Sequence, residues 1–369
     1  MKIRHLQFFY FTIVAIILLL PGRILAKTIP ASELQLLGRG WSTAEVYSVK
    51  YGRVPARLID TFGSNENAKG QSRCSSGLCF FFSTNSRSIG AVYKPWLNHV
   101  MNHQAETGTR GLDLYIYDTE RGEWVYLSTH KPDAKHEQTV DFFVKLDGSF
   151  HDFLLYLPLY DSVTDFSLVV DDDALMRPGN TAYCDPDKRV LVYGTSITQG
   201  GCATRTGMAG SSILGRKLKC QTFNFGFSAG GWLDAGSAKV FAEIKNVSVY
   251  VIDAVANASP LTIQTNLYEF VRILHEANPK ASFVFVDGLS PNFTFYTSGN
   301  DGYQTANERL RQMVEYVRGI FKTTRFEIVP ESIFDDAEGE ATVDSYHYTD
   351  LGYVLWARGV ASVVADMLK

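Results

Sequence analysis

Apolar and polar positions change rhythm once along the chain. Between about 30 and 175, short runs such as GLCFFFSTN (77–85), GLDLYIYD (111–118), GEWVYLS (122–128) and DFLLYLPLYD (152–161) alternate with turn-forming residues. No sustained 3.6-residue period interrupts them. Strands at this spacing, rich in aromatic and β-branched residues, predict a β-sandwich or jelly roll over 30–175. After the acidic run 171–173 and the turn RPGN (177–180) the pattern becomes RVLVYG (189–194), QTFNFG (221–226), VSVYVIDA (247–254), ASFVFVDG (281–288) and RFEIVP (325–330). Helical patterns over 207–219, 237–246, 260–277, 303–322 and 350–368 alternate with these runs. Nearly all-apolar strands separated by helices predict a parallel sheet covered on both faces. The second half, 185–369, therefore reads as a doubly wound α/β domain, with the boundary near 172–187.

The N-terminus stands apart from both rhythms. Lys2, Arg4 and His5 precede an apolar run from Leu6 to Leu20, followed by Pro21-Gly22 and a small residue at Ala26. A basic start, an apolar stretch too short for a membrane span and a small residue predict a signal peptide over 1–26, cleaved after Ala26. The mature protein is then periplasmic or secreted, with no stable membrane span. Export permits disulfides among Cys74, Cys79, Cys184, Cys202 and Cys220 without fixing a pairing; the odd count leaves at least one thiol over.

Composition narrows the partners. A formal net charge of −4 supplies no basic footprint, so nucleic acid is not an expected partner. The eight histidines are scattered and no Cys/His spacing matches a zinc site, so neither metal nor cofactor is expected.

Ligands of such a sheet bind beyond the carboxyl ends of its strands. The first strand is followed by Gly194-Thr195-Ser196, the second by GFSAGGW (226–232), and the third by a segment from Asp253 to Asn257. Asp344-Ser345-Tyr346-His347 precedes the last helix. A serine hydroxyl needs a histidine base, itself oriented by a carboxylate. This half holds two histidines, and His275 sits inside a helical pattern. His347 is therefore the candidate base for Ser196, with Asp344 three residues away to orient it. The amides of Ser196, Ala229 and Gly230 and the side chain of Asn257 are candidate oxyanion donors. Each piece has a plainer reading, as a turn, a helix cap or a loop; their order along one sheet is what favours chemistry. The arrangement is not a Gly-x-Ser-x-Gly nucleophile elbow, because Ser196 follows the first strand.

This constellation resembles the SGNH/GDSL hydrolase superfamily. Gly194-Thr195-Ser196 with Ile197-Thr198-Gln199-Gly200 is similar to its first block, with Thr195 in place of the usual Asp. Asn224 to Gly230 is similar to the second, Asp253 to Asn257 to the third, and Asp344-x-x-His347 to the fifth. GTSITQGGCATRTGMA (194–209), with RGLDLYIYD and LLYLPLYDSV upstream, resembles a two-domain subgroup in which a β-sandwich precedes the hydrolase domain. The resemblance implies a three-layer α/β/α catalytic domain and a metal-independent serine esterase acting on acylated carbohydrate. Two departures stand out: Ala229 occupies the position of a glycine, and the residues around His347 lack the flanking Gly and Pro.

Two further functions use the same residues differently. An acyltransferase would pass the acyl group to a sugar or alcohol acceptor instead of water. A catalytically silent carbohydrate-binding protein would keep the sandwich and lose the chemistry. Trp41, Trp96 and Trp124 are either a sugar-stacking platform or, as aromatic residues in strands usually are, sandwich core. His103, in the polar stretch LNHVMNHQAETGTRG, is a candidate substrate contact. The segment 289–303 is expected to shape the pocket beside Ser196.

Overall fold

A computed structural model describes residues 26–290 and 300–369. The expected signal segment, apart from Ala26, and most of 289–303 lie outside them. No described helix is long and apolar enough to cross a membrane.

The first half is a pair of packed antiparallel sheets. Its strands are β1 (Ala26–Pro30), β2 (Gln35–Leu37), β3 (Cys79–Thr84), β4 (Ile89–Pro95), β5 (Asp113–Asp118), β6 (Glu123–Thr129), β7 (Gln138–Asp141), β8 (His151–Tyr156), β9 (Val163–Asp171) and β10 (Met176–Pro178). One sheet runs β1-β9-β4-β7; the other runs β10-β3-β8-β5-β6, with β2 also on β3. The two-residue period sorts CFFFST: Phe80 and Phe82 enter the inter-sheet core with Phe153, Tyr93 and Phe166. Phe81 points the other way, into a second cluster with Tyr115, Trp124 and Tyr156. That strand reads as continuous apolar sequence because both of its faces are covered. Two short helices, α1 (Glu66–Gln71) and α2 (Glu106–Thr109), interrupt the strands. Trp124 is core, its indole N–H donating to the Tyr183 carbonyl at 3.0 Å. Trp41 packs edge-on against Phe225, and Trp96 is half-buried.

The second half is the expected parallel sheet. Its strands are β11 (Asp185–Gly194), β12 (Cys220–Gly226), β13 (Val249–Asp253), β14 (Ser282–Val286) and β15 (Phe326–Val329), in the order β12-β11-β13-β14-β15. Its helices are α3 (Ser196–Gln199), α4 (Gly210–Leu218), α5 (Ala235–Ala242), α6 (Pro260–Ala277), α7 (Asn300–Ile320) and α8 (Asp350–Met367). Leu191, Tyr193, Phe283 and Phe285 face α5, α6 and α7. Val190, Val192, Val251 and Val286 face α4 and α8. That is a three-layer α/β/α stack. Strand order reverses at β11, so the crevice at its carboxyl end is where a ligand belongs.

The two halves interlock. Val54, just before a 3₁₀ turn, Leu58 and Phe62 within it, and Ala68 of α1 enter the core on the α5 side of the parallel sheet. Asp113 of the GLDLY run, fully buried, pairs with Arg205 at 2.7 Å and accepts the Gly207 amide at 2.9 Å. Arg53 inserts its buried guanidinium between the halves, donating to carbonyls of Gln71 and Cys74 on one side and Asn224 and Gly226 on the other. All five cysteines are buried free thiols.

Candidate active site

Ser196 begins the short turn of helix that follows β11. The helix-capping hydroxyl here is that of Thr195, which accepts from the Ile197 amide at 3.2 Å. Ser196 Oγ is thereby left for other work. Gly194 has no room for a side chain, since a Cβ would lie 2.1 Å from the Asp253 carbonyl oxygen. The helix stops at Gly200, whose φ of 110° requires glycine. The Ser196 carbonyl is held by the Gly200 and Gly201 amides and the Tyr160 hydroxyl. The backbone carrying Ser196 is thus fixed on several sides.

Ser196 Oγ lies 2.8 Å from His347 Nε2, and His347 Nδ1 lies 2.7 Å from Asp344 Oδ2. An ionised carboxylate only accepts, so Nδ1 carries the proton and Nε2 is free to accept from the serine. Asp344 is fixed by its own backbone: Oδ1 accepts the Tyr346 and His347 amides at 3.1 and 2.8 Å. Partial burial alone would raise this carboxyl. The hydrogen bonds from the His347 ring and the backbone outweigh it and hold Asp344 below the usual carboxylate range. Ser345, between them, sits at φ 75°, and the Val343 amide donating to the His347 carbonyl closes the loop.

The candidate oxyanion donors divide. The Ser196 amide, first in its helix, has no intrahelical acceptor. The Gly230 amide donates to the Phe227 carbonyl at 2.8 Å. The Ala229 amide meets no acceptor among the described residues, and Ala229 adopts φ 54°, a left-handed conformation that a glycine would hold without strain. Asn257 accepts the Gly231 amide through Oδ1 at 3.2 Å and donates through Nδ2 to the Ala256 carbonyl. Its second N–H remains. Gly231 in turn packs against Thr195 and Gly194, which ties Asn257 to the serine turn.

The model of the GDSL-like lipase/acylhydrolase family matches residues 187–365, and that of the N-terminus of SGNH-hydrolase-type esterases matches residues 28–176. The chain belongs to the SGNH/GDSL hydrolases. It is a carboxylic ester hydrolase of the two-domain kind. Among solved structures it is similar to a Bacteroides ovatus protein described as a GDSL-like lipase, at 26% identity and TM-score 0.82, over 93% of this chain and 98% of that one. It shares its fold with a salicylyl-acyltransferase of a tetracycline biosynthetic pathway (15% identity, TM-score 0.71, 92% and 97% covered). The same holds for a family two carbohydrate esterase from Cellvibrio japonicus (15% identity, TM-score 0.58, 93% and 98% covered). No curated protein sequence matches the chain.

Around the SGNH hydrolase site, further residues come from distant parts of the chain. His103 lies beside His347, ring centroids 6.1 Å apart, with Nδ1 2.9 Å from Asn102 Oδ1. Gln199 accepts the Ser228 amide and donates to Gln71 and the Leu159 carbonyl, joining the first two blocks to the sandwich half. Tyr353 donates to the Ile197 and Gly201 carbonyls from α8. Tyr346, half in solvent, packs near Tyr303 and adds an aromatic surface next to His347. Of these, His103 and Gln199 carried a sequence signal; Tyr160, Gln71 and Tyr353 carried none, because only the tertiary fold brings them here. Cys202, Asp344 and His347 each offer an atom within 4.8 Å of the others, a set that could hold a metal ion, but both nitrogens of His347 are already engaged.

Proposed function

We propose that the chain is an exported serine esterase that removes short acyl groups, acetyl foremost, from a carbohydrate. The observation that carries the reading is the continuous Ser196–His347–Asp344 hydrogen-bond relay. Ser196 Oγ attacks the ester carbonyl while His347 Nε2 takes its proton. Asp344 holds the tautomer and stabilises the imidazolium. The oxyanion is met by the amides of Ser196 and Ala229 and by Asn257. His347 then returns the proton to the departing sugar alkoxide, and water, activated the same way, releases the acyl group. The glycan assignment is supported by the fold shared with a carbohydrate esterase; His103 is placed to contact the sugar. The basic and apolar N-terminus supports cleavage after Ala26 and a periplasmic or secreted location. We take 30–175 as the sandwich unit and 185–369 as the catalytic one.

The fold shared with an acyltransferase favours one second reading, transfer to a hydroxyl acceptor by the same triad. The intact relay supports catalysis over a silent binding protein. The test measures acetate release from acetylated polysaccharides by wild type and folded Ser196→Ala, with and without added alcohol acceptors. Release that disappears in the variant supports the esterase; acetylated acceptor in place of acetate supports transfer. Undiminished release by Ser196→Ala would overturn both.

A further inference from the structure

The sandwich half carries a cavity of about 610 Å³, lined by residues of the 30–51 segment together with Phe80, Asp165, Phe166 and Ser167. None of the residues assigned to the catalytic relay lines it. Beneath it three buried rings pack together: Phe80 stacks on Phe166 at 4.5 Å and meets Tyr51 edge-on at 5.7 Å. The volume suits a small ligand.

The polar side of the cavity is less ordinary. Arg39 is only 9% exposed, and burial lowers its basicity. Its Nη2 donates to the Lys50 and Gly52 carbonyls at 2.7 and 3.1 Å, and its guanidinium lies 3.8 Å over the Tyr47 ring. Among the described residues no carboxylate pairs with it, and its buried Nε has no hydrogen-bond partner. The acidic groups at the rim already have cations: Glu45 is paired with Arg57 at 2.9 Å, and Asp165 with Lys50 at 3.7 Å. A desolvated guanidinium facing a cavity without its own counter-charge is matched by a planar carboxylate.

We infer that this cavity is a second binding site, for a uronic acid unit of an acidic glycan. The ligand's carboxylate sits on Arg39, beside Tyr47. The glycan class rests on the esterase reading; the carboxylate rests on Arg39 alone. The site would anchor an acidic polysaccharide to the sandwich while the Ser196 site works on its esters.

The experiment titrates the mature chain, its active site blocked by a fluorophosphonate, with oligogalacturonate and with the neutral methyl ester of the same oligomer. Variants are Arg39→Gln and Thr43→Trp, the second filling the cavity mouth without touching the buried cation. Turnover of p-nitrophenyl acetate by the unblocked variants reports folding. We expect oligogalacturonate to bind at least tenfold more tightly than its methyl ester, and both variants to weaken it at least tenfold with turnover unchanged. Should Arg39→Gln lose turnover, Thr43→Trp and the ester comparison decide alone. Equal binding of acid and ester, binding unchanged in Thr43→Trp, or no binding overturns the inference. Absent turnover in wild type would instead count against the esterase reading, which the uronate titration does not measure.

Discussion

Thr195 and Ser196 divide two tasks that a Gly-x-Ser turn leaves ambiguous in sequence: the threonine caps the helix, and the serine faces His347. Replacing Asp344 with Asn should lower kcat by about 10³–10⁴-fold, because the imidazole loses its fixed tautomer; steady-state kinetics on p-nitrophenyl acetate will show it. Ala229 holds a left-handed backbone that a β-branched side chain tolerates poorly. Ala229→Val should therefore cost about 1–3 kcal/mol in urea unfolding and reduce turnover. Burial pushes the Asp253 carboxyl up to about 7, although the Trp356 indole donates to it. The unfolded chain loses that proton near pH ~3.9. Between the two values the folded state binds the extra proton, so stability falls as pH rises toward 7. Asp253→Asn should remove this slope from unfolding measured between about pH 4 and 7. The hydrogen-bonded set Ser196, His347 and Asp344 was legible because each member lies at a strand end or in one short segment. Tyr160 and Gln71 were not, since nothing local marks a residue whose partner is distant in the chain.

At the level of elements, the parallel strands were readable from runs that are apolar on both faces. The helices over 260–277 and 350–367 followed from their period. Six sandwich strands, β1, β2, β4, β7, β9 and β10, match none of the runs named from the pattern. β7 has four residues at a sheet edge, β4 contains Gly90 and ends at Pro95, and β9 mixes charged with apolar positions. Pairing with neighbours, more than local sequence, decides such strands. The four-residue helix that begins with Ser196 is likewise too short to show a period. It lies directly on the end of β12: a Cβ on Gly226 would stand 2.0 Å from the Gln199 nitrogen and 2.4 Å from the Thr198 carbonyl carbon. Both contacts are backbone, so Gly226→Ala should destabilise by at least about 3 kcal/mol or prevent soluble expression. Chemical denaturation of the purified variant is the check.

Over the whole molecule, the change of rhythm near 172–187 marks where antiparallel sheets give way to the parallel one. The sequence rhythm did not reveal how far the halves share a core, with residues 54–68 reaching the far layer. Asp113, fully buried, holds Arg205 and the Gly207 amide just downstream of Ser196. Removing one partner of a buried pair strands the other, so Asp113→Ala should cost about 3–5 kcal/mol. It should also lower kcat, because the segment it holds continues from the serine turn. These contacts all bear on Ser196, which we propose as the nucleophile. The most direct measurement treats wild-type protein with a fluorophosphonate and maps the adduct by peptide mass spectrometry while following ester turnover. We expect one adduct, on Ser196, appearing in step with loss of turnover and absent from His347→Ala. Turnover lost with Ser196 unmodified, or retained with Ser196 fully labelled, would contradict the account.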